Sequence, residues 1–75
     1  MRVEHVIGKV FKVDPEDLDA SSSRDTIKGW DSMAHLTLIL ELEAEYHVSI
    51  AIADAMEMVS VEKIKEILRN YGVRV

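Results

Sequence analysis

The 75-residue sequence contains no cysteine, a single proline (Pro15), three glycines and four aromatic residues, Phe11, Trp30, Tyr46 and Tyr71. Without cysteine there is no disulfide framework and no Cys-based zinc site, and nothing marks the compartment as oxidising. So little proline and glycine argues against a linker or low-complexity segment. No run approaches the ~20 apolar residues that a membrane span requires, and no signal-peptide pattern opens the chain. A soluble cytoplasmic protein with no membrane partner is the expectation. The length fits one domain over residues 1–75, and a chain this short buries only about 60% of its unfolded surface, so its core has to be economical.

A further absence is local. Residues 29–61 contain no Lys or Arg, whereas Asp31, Glu41, Glu43, Glu45, Asp54 and Glu57 lie within that stretch. The net charge of -5 is therefore carried by one segment. A one-signed field over part of a surface steers basic partners, although a merely solvated acidic face has the same composition. It argues against nucleic acid, whose phosphates require a positive footprint.

What is present reads as helix throughout. Val3, Val6, Ile7, Val10 and Phe11 follow the i, i+3, i+4, i+7, i+8 pattern of an amphipathic helix. Asp14-Pro15 ends it, because proline disfavours helical geometry in the residue before it. Asp14 can cap one further turn, with Pro15 at its first position. A long polar connection follows as far as Gly29, and Leu18, Ile27 and Trp30 are its candidate core anchors. The second helix is expected over 32–46, with Asp31 as N-cap. Met33, Leu36, Leu38, Ile39, Leu40, Leu42 and Tyr46 cover more than half of its circumference, which suits a central helix packed on several sides. A short third helix is expected over 50–58 with Ser49 as cap. Ser60 caps a fourth, in which Val61, Ile64, Ile67, Leu68 and Tyr71 fall at helical spacing, and Gly72 supplies a stop. The fold class is all-α: a small four-helix bundle of three longer helices and a short third, with a long loop between the first two.

Gly29-Trp30-Asp31-Ser32-Met33 is the segment with functional content. It sets a serine at a helix N-terminus, between an acid and a large apolar residue, where backbone N–H groups and the helix dipole favour a phosphate by ~0.3–1 kcal/mol. A lone Asp-Ser pair would be no more than a cap. Here Trp30-Asp31-Ser32-Met33 is followed in order by Leu36, Leu40, Glu41-Leu42-Glu43, Tyr46 and Val48. This region resembles the attachment region of acyl carrier proteins and of the related aminoacyl and peptidyl carriers, and the resemblance extends more weakly over almost the whole chain.

The resemblance implies that Ser32 carries 4′-phosphopantetheine, donated by coenzyme A through a phosphopantetheinyl transferase. Asp31 would then assist loading by sharing a divalent cation with the phosphate donor. It implies a non-enzymatic carrier that holds acyl intermediates as thioesters and presents them to an acyl- or aminoacyl-loading ligase and to acyltransferase-type enzymes, in fatty acid, polyketide or related biosynthesis. A discrete, monomeric carrier is expected, since the chain starts at a methionine and ends soon after the fourth helix. Met33 replaces the usual leucine after the serine and keeps an unbranched apolar side chain there. The first turns of the second helix carry Ala34, His35 and Thr37 where carriers of fatty-acid synthesis are more acidic, which points to a specialised acyl or aminoacyl pathway.

Met33, Leu38, Glu41, Glu45 and Met56 are the expected partner contacts, with Leu38 exposed at the edge of the apolar arc. Met33, Met56 and Met58 form a candidate adaptable apolar surface, core packing being the alternative for Met56. His35 is expected at the surface, one turn from Ser32, and the more ambitious reading has it touch the attached phosphate. Asp31, Ser32 and His35 do not make a catalytic triad, because neighbours on one helix rarely place a base and its orienting acid around a nucleophile. His5, His35 and His47 are too scattered for a metal. The alternative from another class is an unmodified helical interaction module, in which Ser32 only caps and the acidic segment binds a basic protein.

Overall fold

A computed structural model describes residues 2–75. Four helices follow in order: α1 (Val3–Phe11), α2 (Ser32–Tyr46), α3 (Ile52–Glu57) and α4 (Val61–Asn70), with a 3-10 turn at Pro15–Asp17. Several starts and stops have a local cause. Asp14 accepts from the Glu16 backbone N–H and Pro15 sits at the first position of the short turn, where its missing N–H costs nothing. Asp31 caps α2 by accepting from Ala34 N–H at 2.8 Å, and Ser60 caps α4 by accepting from Lys63 N–H at 3.1 Å. Lys12 and His47 take the left-handed conformation that ends α1 and α2. Gly72, with φ +86°, follows α4.

The core gathers Val3, Val6 and Ile7 of α1, Leu38, Ile39 and Leu42 of α2, and Val61, Ile64, Ile67 and Leu68 of α4. Ile27 and Trp30 from the long connection, and Met58 after α3, complete it. The connection is thus packed, with Leu18 half-buried as well. It also docks by backbone hydrogen bonds onto the α3–α4 junction: Arg24 N–H to Val59 O (2.8 Å) and Val61 N–H to Ser22 O (2.9 Å). Phe11 is half-buried, its ring centroid 5.0 Å from that of Trp30.

Three expectations change. The third helix is shorter than 50–58; Ala51 occupies its cap position with no side-chain hydrogen bond, and Ser49 lies outside it. Ile50 lies ahead of it, its backbone N–H donating to the Glu43 carboxylate at 2.8 Å. Met58 is fully buried and belongs to the core, not to an apolar contact surface. The broad apolar arc of α2 is not packed all round: Met33, Leu36 and Leu40 are exposed.

Candidate functional site

The geometry of α2 decides the site. At about 100° per residue, Leu38, Leu42 and Ile39 share one arc of roughly 100°, and this arc faces the core. Leu36, Leu40 and Met33 fall on the continuation of the same apolar surface, pointing away from it. Leu38 is therefore 0% exposed and is not a partner contact, which corrects the expectation. The error has a physical origin. The exposed Met33, Leu36 and Leu40 widen the apolar arc, so its midpoint is displaced by about 60° from the true core direction and Leu38 falls falsely at the edge.

Ser32 is the first residue of α2 and is exposed. It lies at the mouth of a groove of about 300 Å³ between α2 and α3, lined chiefly by Leu36, Ile39, Leu40, Ile50, Ile52 and Met56, with His35 and Glu43 as its polar members. Ile52, Met56 and Met33 are 80%, 72% and 78% exposed, so Met56 is surface, as the partner-contact reading has it, and not core. Asp31 is exposed beside Ser32, with one carboxylate oxygen engaged at Ala34 N–H. No other serine matches this setting. Ser21 donates to Asp19 and Ser22 accepts from the Asp19 backbone N–H. Ser23 accepts from Asp25 N–H, and Ser60 caps α4. Ser49 is exposed in the coil ahead of α3.

The structure thus joins Ser32 and Met56 on one groove, with Met33 exposed on the turn that starts there. Glu41 is set apart: its carboxylate meets Lys9 of α1 at 3.1 Å, so part of its charge is already answered within the chain. Glu45 is half-buried and has an interaction of its own.

His35 is not a plain surface residue. Half-buried, it receives the Trp30 indole N–H at Nδ1 (2.9 Å) and reaches the Ala55 carbonyl with Nε2 (2.8 Å). It stands near the middle of the arc formed by Leu38, Leu42 and Ile39, and a histidine that interrupts an apolar arc has to reach polar partners, a signal the sequence itself contains. Tyr71 was read only as an apolar member of α4. Its hydroxyl donates to Asp54 at 2.5 Å and accepts from Ala51 N–H at 2.9 Å, fastening the start of α3 to the end of α4. The hydrogen bond to Asp54 leads the causes that push the Tyr71 phenol above its ordinary 10.0. Among the described residues no cluster of His, Asp and Glu is arranged to hold a metal, and no helix is long and apolar enough to cross a membrane.

The sequence profile of the family described as "Phosphopantetheine attachment site" matches residues 2–68. The chain belongs to that family. It is a carrier protein: a non-catalytic domain with covalently attached 4′-phosphopantetheine as its cofactor, whose terminal thiol holds acyl groups as thioesters. Such carriers work through a phosphopantetheinyl transferase and through the enzymes that load and use the cargo. The four-helix fold of this carrier is similar to that of the holo acyl carrier protein from Geobacter metallireducens, solved in solution by NMR. The TM-score is 0.73, with 24% identity, over 97% of this chain and 90% of that one. No curated protein sequence matches the chain.

Proposed function

We propose that Ser32 is the attachment residue and that the protein, as one carrier domain over residues 1–75, bears uncharged acyl intermediates with an apolar body for a dedicated pathway. The observation that carries this reading is the groove between α2 and α3, which opens at an exposed serine and has an apolar lining. The Ser32 hydroxyl oxygen would form the new bond to the pantetheine-side phosphorus of coenzyme A, the pyrophosphate P–O bond of coenzyme A would break with adenosine 3′,5′-bisphosphate as leaving group, and the serine proton would pass to the transferase. Asp31 is placed to share a divalent cation with the phosphate donor, since Mg²⁺ takes carboxylate and phosphate oxygens together. The helix N-terminus favours the phosphate once it is attached. The groove offers no basic side chain that would pair with a carboxylated cargo, and Glu43 at its edge disfavours one further.

Docking enzymes are proposed to use the exposed apolar face of Met33, Leu36, Leu40 and Met56, with basic residues of their own set against a segment that has none. Charge then acts mainly on the rate of encounter and fades with salt. Mass measurement after incubation with coenzyme A and a broad-specificity transferase tests the attachment. The wild type should gain the mass of one arm, and Ser32→Ala should gain none while keeping its helical circular dichroism. An arm on Ser32→Ala would show that another residue is modified. No arm on either protein would return the chain to the reading of an unmodified interaction module.

A further inference from the structure

We infer that His35 is a positioning residue of this carrier: an imidazole held as the Nε2–H tautomer, which ties α3 to α2 and thereby sets the width of the groove beside Ser32. The inference rests on the reading that this groove receives the cargo. Its core is a matter of donors and acceptors. The Trp30 indole N–H can only donate, so the Nδ1 it meets at 2.9 Å must be bare. The Ala55 carbonyl can only accept, so the Nε2 at 2.8 Å must carry the hydrogen. One state of the ring satisfies both. The Nδ1–H tautomer sets two donors against each other at Trp30 and two acceptors at Ala55. The imidazolium keeps the Ala55 bond but again opposes N–H to N–H at Trp30. The indole has no room to turn away, for Trp30 is buried, packed on Phe11 and stacked near the imidazole with ring centroids 6.1 Å apart.

The second part of the argument is what else holds α3. None of its residues is buried and no side chain caps it. Glu43 grips Ile50 just ahead of the helix, and Tyr71 grips Ala51 and Asp54 at its first turn. Met58 anchors the chain after it. Among the hydrogen bonds of the described residues, that of His35 is the one that reaches from α2 to the middle of α3, at Ala55, between the two wall residues Ile52 and Met56. Without it the centre of the wall keeps only the part-buried packing of Ala55 between its fixed ends.

The test begins with the unmodified protein, so that its outcome is independent of whether Ser32 takes the arm. Long-range ¹H–¹⁵N spectra at neutral pH should show a bare Nδ1 and a protonated Nε2 at His35. An Nδ1–H or doubly protonated ring would overturn the inference, and this measurement needs no variant. In His35→Phe, amide exchange over 52–57 should quicken about tenfold, the scale of one or two ordinary hydrogen bonds, with α1 and α4 core amides little changed. His35→Gln keeps one acceptor and one N–H donor, and should restore most of that protection together with the deshielded Trp30 indole proton. Unchanged exchange over 52–57 in His35→Phe would sink the positioning role. The link to the groove is read on protein carrying an octanoyl thioester: His35→Phe should lose the acyl group to hydroxylamine several-fold faster than wild type. Equal rates would show that His35 orders α3 without governing the groove.

Discussion

Helices α3 and α4 are joined by three residues and are held in opposite ways. α4 has a serine cap and buries Val61, Ile64, Ile67 and Leu68. α3 has no side-chain cap, buries no residue fully, packs only Ala55 in part against the core, and turns Ile52 and Met56 outward. The first is held by the hydrophobic effect, which is large and non-directional. The second is held by directional hydrogen bonds from Glu43, Tyr71 and His35 at 2.5–2.9 Å. A carrier needs both. On the proposed reading of the groove, the core persists while one wall gives way to the cargo, and an element held by few buried apolar contacts is the one that opens at low cost.

That contrast can be broken most forcefully from the core side. Leu42→Ala removes a fully buried side chain of the core, and should cost ~2–5 kcal/mol, a large share of what so small a domain has. Urea unfolding measures it, and a midpoint equal to wild type would mean that α2 is rotated away from the position described above. Gly8→Ala comes next. A Cβ on Gly8 would stand 2.6 Å from the Val13 carbonyl oxygen and 3.1 Å from Pro15 Cγ, where α1 is crossed by the chain leaving it. The backbone there has to shift, at a cost of about 1–3 kcal/mol in the same assay.

A smaller effect lies at Glu4 and Lys65, which join α1 to α4 at 2.7 Å. Burial raises the Glu4 carboxyl, but the Lys65 hydrogen bond and charge, helped by Arg2, outweigh it and hold the group below its ordinary 4.5. A lowered carboxyl stabilises the fold in full above about pH 4.5 and loses that contribution as the pH falls through the lowered value. The stability gap between wild type and Lys65→Met should therefore narrow on acidification below pH 4.5, and a gap that stays constant there would show that the pair is uncoupled from folding. Tyr71→Phe acts on the other region alone: it should quicken amide exchange at 52–55 and leave the urea midpoint close to wild type. The sign of its pH dependence follows from the raised phenol, whose contribution is complete below pH 10.0 and lost as the pH climbs through the higher folded value. Smallest is Leu40→Ala, on the exposed face of α2, which should change stability by no more than ~0.5 kcal/mol. A loss as large as that at Leu42 would mean that the face called free is packed.

Much of this architecture is legible from local chemistry. Asp31 and Ser60 cap by reaching backbone N–H groups three residues on, Asp14-Pro15 makes a turn within four residues, and the 3.6-residue stripes of α1 and α4 point at one core. These are interactions of near neighbours, so the order of residues contains them. The exposed serine at the head of α2, within Trp30-Asp31-Ser32-Met33, is legible for the same reason, as is the absence of basic residues from 29–61.

The rest depended on which elements meet. The apolar arc of α2 serves the core on one half and the groove on the other, and periodicity registers only that both halves are apolar. Leu38 and Leu40 look alike in sequence; the first is buried in the core and the second lies open on the groove beside α3. Met56 and Met58 are two residues apart and end at 72% and 0% exposure because the chain leaves the helix between them. Glu41 finds Lys9 across 32 positions, and His35 finds Ala55 across 20. The sequence alone determined four helices, the caps of the second and fourth, and a serine at the head of the second. Only the tertiary structure decided which face of that helix is free and what holds the wall beside it, because burial and long-range hydrogen bonds belong to pairs of elements and no single segment contains them.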